Sequence, residues 1–399
     1  MKRTLLAKGR FLRRAAGMLL VLALSWALGL PVRAQEAPPP VDAKGYVLME
    51  AATGRVLAGE NIHGRLPMAS TTKIMTALLA LEQPDLDRYF PVDGRAILVE
   101  GSSMGLLPGD QVTLRVLAAG MLLHSGNDSA GAAAVRVGKT VEGFVEMMNA
   151  RAAGMGLADT HFVTPSGLDA DGHYSSAYDM AVLAAQALQN PDFAAICSQS
   201  KMKVAFGNPP YDRWLTNHNR LLEQYEGAVG VKTGFTKKAG RCLVSAAVRD
   251  GVTLVCVTLS ASDDWNAHRT LLDFGFSQVV PTDLRRFAGE VLIPVAGGET
   301  LTAAAGPEGS RWAGLLSGDR VEAETVLRPL LFAPAGKGQV VGEVRFFLEE
   351  RCIGTLPVCL REDISPRPVP EGKNWAEKLR EFWNLFWKKK EAGRATPAE

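Results

Sequence analysis

Between Ile74 and Leu81 a single polar residue, Thr76, interrupts a series of Ile, Met, Ala and Leu. A helix this apolar all round is buried, and the pattern predicts helix from Ser70 onward. Lys73 heads the run, where a lone ammonium is costly to bury. It either reaches the surface or is held inside for chemistry. Further helical periods cover Leu114–Leu123, Gly131–Ala153 and Ala177–Gln189, and Ser176 with Asp179 has capping-box spacing before the last. Short runs at Tyr46–Glu50 and Arg55–Ala58, around Ala52-Thr53-Gly54, read as a hairpin. Cys242–Val248 and Val252–Ser260 flank Arg-Asp-Gly and read as a second hairpin, followed by helix from Asp264 to Phe274 stopped at Gly275. Strands, a helical cluster, more strands and a helix make an α+β body with an antiparallel sheet.

Past residue 281 the texture changes to Gly-punctuated alternating segments (VLIPV, QVVGEVRFFLE, CIGTLPVCL) with little helical period. The chain therefore divides into a body at 43–280 and a small all-β domain at 281–362. Residues 363–372 include Ser-Pro-Arg-Pro-Val-Pro and read as a stiff tether. Residues 373–391 then place Trp375, Leu379, Phe382, Trp383 and Phe386 on one helical face, opposite Glu377, Lys378, Glu381, Asn384 and Lys388. Aromatic residues on one side with lysine at the margin suit a helix lying on a membrane surface, and 392–399 reads as a disordered tail. At the other end a basic start, the apolar stretch AAGMLLVLALSWALGL and Val-Arg-Ala make residues 1–34 a secretory signal. A Pro-rich lead-in at 35–42 follows. The expected location is the outer face of the cytoplasmic membrane.

The chain has 399 residues, 47% of them hydrophobic, and a formal net charge of +2. That charge belongs to the signal: residues 1–34 hold seven bases and no acid, leaving 37 bases against 42 acids elsewhere. Nucleic acid is not an expected partner. Five cysteines are too few, and odd in number, for a disulfide framework, and Cys352 and Cys359 on one strand would be too far apart to bridge. Buried free thiols are the expectation. Six histidines without metal-ligand spacing predict no metal, and no cofactor is expected.

Ser70-Thr71-Thr72-Lys73 is an S-x-x-K motif whose ends share one helical face. A desolvated lysine beside other cations has a lowered pKa and can take the proton of a serine nucleophile. A serine at a helix start is also surrounded by free backbone N–H groups that can hold an oxyanion. A second copy, Ser198 to Lys201, leads into no apolar helix and reads as coincidence. The first copy is followed by Ser125-Gly126-Asn127 after an apolar helix and by Lys232-Thr233-Gly234 before the second hairpin. S-x-x-K, S-D-N and K-T-G in this order form the signature of penicillin-binding proteins and class A β-lactamases, and here the middle element reads Ser-Gly-Asn in place of Ser-Asp-Asn.

With YVLMEAATGRVLAGEN, TPSGLDADGHYSSAYDMAVLA, TNHNRLL and VKTGFTKKAGRCLVSAA, the chain resembles the D-alanyl-D-alanine carboxypeptidases, low-molecular-mass penicillin-binding proteins of serine peptidase family S11. The resemblance implies a β-lactamase/transpeptidase-like catalytic domain. It implies Ser70 as the nucleophile on the D-Ala–D-Ala bond of peptidoglycan stem peptides, with Lys73 as proton acceptor. Ser125 would relay a proton to the leaving D-alanine, and Asn127 would hydrogen-bond the substrate amide. Lys232 and Thr233 would receive the terminal carboxylate, Gly234 would allow close approach, and the N–H groups of Ser70 and Phe235 would form the oxyanion hole. β-Lactams would be inhibitors. His124 and His218 read as satisfied structural histidines, whereas Asp169, Asp171 and His173 either border the substrate or are simply solvated.

Rival functions share much of this chemistry. A β-lactamase needs fast deacylation, which class A enzymes obtain from a glutamate; no glutamate lies between Asp159 and Gln186, and Glu142 and Glu146 fall in another predicted helix. A D,D-endopeptidase on the same fold is a second rival, and a catalytically weak peptidoglycan-binding envelope protein is a third.

Overall fold

A computed structural model describes residues 37–368 and 375–392. The expected signal at 1–34, residues 369–372 of the expected tether and the tail beyond 392 lie outside the described residues. The chain opens with β1 (Ala43–Glu50), antiparallel to β2 (Val56–Glu60) with a register shift at Leu48/Met49. A 3₁₀ turn, Ala69–Thr72, then runs into α1 (Lys73–Leu81), every residue of which is buried. The short strands β3 (Phe90–Pro91) and β4 (Gln111–Val112) precede α2 (Leu114–Leu122), α3 (Asn127–Gly138) and α4 (Val141–Gly154). The single helix expected over Gly131–Ala153 is therefore two. Lys139 takes φ +69° and the Thr140 hydroxyl accepts from Gly143 N at 3.0 Å, starting a fresh helix.

Next come α5 (Ala177–Ala187), capped by Ser176 accepting from Asp179 N at 3.1 Å, and α6 (Pro191–Cys197). A hairpin not predicted from sequence follows, β5 (Lys201–Gly207) with β6 (Pro210–Thr216), and a single helical turn, α7 (Leu221–Gln224). The run β7 (Ala228–Thr236), β8 (Gly240–Arg249) and β9 (Val252–Ala261) then completes a five-stranded antiparallel sheet of order β2-β1-β9-β8-β7. Side chains alternate along its central strands. Val255, Val257 and Leu259 join the core under helices α1–α6, while Leu254 and Cys256 face the other way, toward α8 (Asp264–Gln278). The sheet is thus buried on both faces.

α8 does not stop at Gly275. A Cβ there would lie 2.6 Å from Leu48 Cδ2 and 2.7 Å from Leu254 Cδ1, so this glycine lets the helix sit down on the sheet. Gly275→Leu should destabilise the protein by about 2–3 kcal/mol through overpacking, read as a lower midpoint in denaturant unfolding. An unchanged midpoint would mean that this contact is loose.

The remaining strands are β10 (Val280–Asp283), β11 (Val291–Ala296), β12 (Thr302–Pro307), β13 (Trp312–Leu315), β14 (Val321–Leu327), β15 (Leu331–Phe332), β16 (Val340–Leu348) and β17 (Arg351–Leu360). β10 pairs with β13, and the others form a six-stranded sheet of order β14-β16-β17-β12-β11-β15. Their buried side chains, among them Ile293, Val341, Val344, Phe346 and Val358, form a core of their own. This β region is tied to the first sheet by Arg55 Nη1 on Asp319 Oδ2 at 2.6 Å and by Gly314 N donating to Glu50 Oε1 at 3.2 Å. All five cysteines are free; four are buried, but Cys352 is exposed, against expectation, because it lies near the start of β17. The last helix, α9 (Trp375–Ala392), presents Trp375, Leu379, Phe382 and Trp383 to solvent. The side chain of Phe386 lies outside the described residues. Among the described residues no helix is long and apolar enough to cross a membrane.

Candidate active site

The serine and lysine of the first motif stand where the 3₁₀ turn becomes helix, and Lys73 does not escape to the surface. Its side chain is fully buried, and Nζ contacts Ser70 Oγ at 2.8 Å, Asn127 Oδ1 at 2.7 Å and Ser166 O at 2.6 Å. Burial, and after it the ammonium of Lys232, hold the amine well below the ordinary lysine value, with Asp128 pulling weakly the other way. A neutral amine has two N–H groups and one lone pair. In its neutral form, with two hydrogens on Asn127 Oδ1 and Ser166 O, the amine would turn its lone pair to the Ser70 hydroxyl proton.

Ser125 ends the loop between α2 and α3 with φ +61°, and Ala69, next to the nucleophile, has φ +48°. Such left-handed conformations in non-glycine residues cost about 1–3 kcal/mol each and persist where surrounding packing enforces them. Here they turn both hydroxyls into one cleft. Lys232 sits on β7, the edge strand of the main sheet. It is buried, and Nζ donates to Ser125 Oγ at 3.1 Å and to Thr233 O at 2.8 Å; burial brings its pKa down to about 7. The sequence pattern alone does not predict β7 as a strand.

Gly234 explains how strand and nucleophile come so close. A Cβ on it would lie 3.1 Å from Met68 O, Ser70 N and Thr71 N. The backbone of β7 therefore lies against the start of the 3₁₀ turn. Phe235 follows, with its side chain 66% exposed and no part in the packing. A cleft of about 550 Å³ is lined by Ser70, Ser125, His218, Arg220, Thr233 and Phe235, among others.

Asn127 is more committed than the sequence suggests. Its Oδ1 accepts from Lys73 and its Nδ2 donates to Glu100 O at 2.5 Å, so both ends of the amide hold protein groups. The adjoining Asp128 carboxylate accepts from the N–H groups of Met104, Gly105 and Leu106 at 3.0 Å each, fixing the loop that carries Ser102 into the cleft.

The histidines divide. His173 is a buried strut, not a loop ornament. Nδ1 accepts from Val163 N at 2.9 Å, Nε2 meets Thr72 Oγ1 at 2.9 Å, and burial pushes its pKa to about 4. It thereby ties the Ser166 loop to the S-x-x-K turn, a role with no signal in the sequence beyond its place in that loop. Asp169 accepts from Thr236 Oγ1 at 3.0 Å at the end of β7, whereas Asp171 is exposed. His124 is not satisfied, since its Nδ1 is buried without a hydrogen-bond partner. Its ring lies 5.5 Å from that of His218, whose pKa is lowered by burial, Lys232 and His124. The second S-x-x-K is separated from this chemistry, with Lys201 exposed on β5. Among the described residues no cluster of potential metal ligands occurs.

This arrangement can activate an alcohol, stabilise an oxyanion and receive an anion. Comparison with known proteins points the same way. The sequence profile described as Peptidase S11, D-alanyl-D-alanine carboxypeptidase, matches residues 32–263. A D-alanyl-D-alanine carboxypeptidase of Bacillus subtilis, DacF, is 38% identical over 245 residues, covering 59% of this chain and 63% of that protein. DacC of Escherichia coli is 34% identical over 346 residues, covering 82% of this chain and 85% of that one. Penicillin-binding protein 5 of Haemophilus influenzae matches in structure with a TM-score of 0.60 and 28% identity, over 83% of this chain and 99% of that chain.

Proposed function

The chain belongs to the D-alanyl-D-alanine carboxypeptidase family of serine peptidases, and on that premise we propose that Ser70 is the nucleophile that removes the terminal D-alanine from peptidoglycan stem peptides. The observation that carries this reading is the three-point seat of the Lys73 amine, which leaves its lone pair to Ser70.

Lys73 takes the Ser70 proton as Oγ attacks the carbonyl of the D-Ala–D-Ala bond. The tetrahedral oxyanion is held by the N–H groups of Ser70 and Phe235, a reading supported by the close approach of Gly234 to Ser70 N. Ser125, hydrogen-bonded to Lys232, relays that proton from Lys73 to the departing D-alanine nitrogen, giving its own hydroxyl proton and taking one from Lys73, whose amine is thereby neutral again. Lys232 and Thr233 receive the terminal carboxylate. Asn127 holds Lys73 through Oδ1 and the Glu100 carbonyl through one Nδ2 hydrogen, and its second Nδ2 hydrogen meets the substrate amide. Water then releases the acyl chain, with Lys73 again as base. β-Lactams acylate Ser70 by the same steps.

Slow deacylation separates this reading from a β-lactamase. Glu142 and Glu146 are exposed on α4, and Asp264, the carboxylate among the residues lining the cleft, is bound by Arg241 at 2.6 Å. The protein should release D-alanine from a peptide ending in D-Ala–D-Ala, yet consume about one equivalent of a chromogenic β-lactam before stalling. Rapid β-lactam turnover without D-alanine release would reverse the assignment.

pH provides a second check. Lys232 binds a carboxylate only while protonated, and its amine sits at about 7. KM for a D-Ala–D-Ala peptide should rise as pH goes from 6 to 9, while kcat changes less because the bound carboxylate favours the charged lysine. A substrate with its terminal carboxylate amidated should show no such rise. Equal pH dependence for both substrates would remove Lys232 from this role.

Residues 43–280 form the catalytic domain and 281–362 a small β domain, a division supported by their separate cores. The protein is exported and works at the outer face of the cytoplasmic membrane. α9 lies on that surface, as its exposed aromatic side chains and terminal lysines suggest.

A further inference from the structure

The chain leaves the β region beside two of its most exposed apolar side chains. After β11 the loop Gly297–Leu301 turns back into β12, and Leu301 is 72% exposed although its carbonyl accepts from Val295 N at 2.8 Å. On one side of this loop runs β15, parallel to β11 with Ala296 opposite Phe332, and Phe332 is 71% exposed. Leu330, just before it, is 41% exposed. On the other side runs the departing chain: Glu299 N donates to Ser365 O at 3.0 Å, and Arg367 N to Gly297 O at 2.8 Å. Leu301, Phe332 and the exit point thus share one end of the β region.

Isolated exposed leucines need no explanation. This group is different because an aromatic helix lies a short way downstream of it. α9 begins at Trp375, eight residues after Arg367, and at about 3.5 Å per residue that stretch reaches no further than roughly 28 Å. If α9 lies in the interface, the end of the β region bearing Leu301 and Phe332 is held close to the lipid surface. Arg367, Arg328 and Lys337 flank it with basic side chains, and the acids there are Glu299, the exposed Glu362 and Asp363, the last accepting from Lys337 N at 2.7 Å.

We propose that the end of the β region formed by Gly297–Leu301 and Leu330–Phe332 is a second lipid-facing contact, which together with α9 seats the protein on the bilayer at two points. This rests on the membrane reading of α9 and adds to it a defined orientation. Leu301 and Phe332 enter the headgroup boundary, and the basic side chains around them meet lipid phosphates.

The test uses the full chain as isolated from the cell envelope, in a Cys352→Ser background that removes the exposed thiol. An environment-sensitive fluorophore is placed by Leu301→Cys, Phe332→Cys, Trp383→Cys or, as a control on β6, Tyr211→Cys. On vesicles of phosphatidylglycerol and phosphatidylethanolamine, the probes at 301, 332 and 383 should shift to the blue and be quenched by a lipid-borne quencher, and the probe at 211 should do neither. The double variant Leu301→Glu/Phe332→Glu should partition about tenfold more weakly, with unchanged release of D-alanine from a soluble peptide. A response at 383 alone overturns this proposal and leaves the helix reading intact. Silence at all three positions overturns both. A blue-shifted probe at 332 without vesicles means that α9 covers this end instead, which also overturns it.

Discussion

Ser70→Ala should lower D-alanine release by a factor on the order of 10⁴–10⁶, as removal of a serine nucleophile does in other hydrolases, while leaving the protein folded. Its hydroxyl is held by Lys73 at 2.8 Å at the open cleft, so little packing is lost. The native chain treated with penicillin should gain one adduct by intact mass, mapped by digestion to the peptide carrying Ser70. The variant should gain none and keep its unfolding midpoint within a few degrees. An adduct of undiminished yield on the alanine variant would move the nucleophile elsewhere, and the whole assignment of the cleft with it.

Lys73→Met and Lys73→Arg together test the proton acceptor. Methionine keeps the apolar volume but provides no base, so kcat should fall by about 10²–10⁴ with a smaller change in KM. It also leaves Asn127 Oδ1 and Ser166 O without their buried donor, a loss of roughly 1–3 kcal/mol for each group left unpaired. Arginine distinguishes the two roles. Its guanidinium can restore donors to those oxygens but cannot be deprotonated, so stability should partly return while acylation by penicillin stays slow. Recovery of activity with arginine would show that residue 73 acts by holding its neighbours rather than by taking a proton.

The parts of this site that lie in local sequence are legible from it. Ser70 and Lys73 announce themselves by spacing and by the apolar run behind them, and Lys232-Thr233-Gly234 by its order after Ser125-Gly126-Asn127. The partners contributed by backbone atoms are not. Glu100 and Ser166 act through their carbonyls, which any residue could supply, and His173 is a strut only because folding brings its loop against Thr72. The same limit applies to secondary structure. Gly275 reads as a helix stop because a glycine placed against Leu48 and Leu254 for close packing has the same letter as one that ends a helix. The hairpin of β5 and β6 gives no clear signal because its burial alternates on one face only, with Lys201, Lys203, Asp212 and Thr216 exposed. Cys352 is expected inside on its apolar neighbourhood, but its position at the start of β17 puts it in solvent.

The amine at position 73 is fastened to three stretches of chain as far apart as residues 70 and 166, and it senses a fourth through Lys232. These stretches run from residue 70 to residue 232, most of the catalytic body, so the reactive serine can exist only once that body has closed. Covalent capture of a fluorescent penicillin therefore reports assembly itself: during synthesis or export a chain takes the label only once its distant segments have met, and a chain heated until they part takes none.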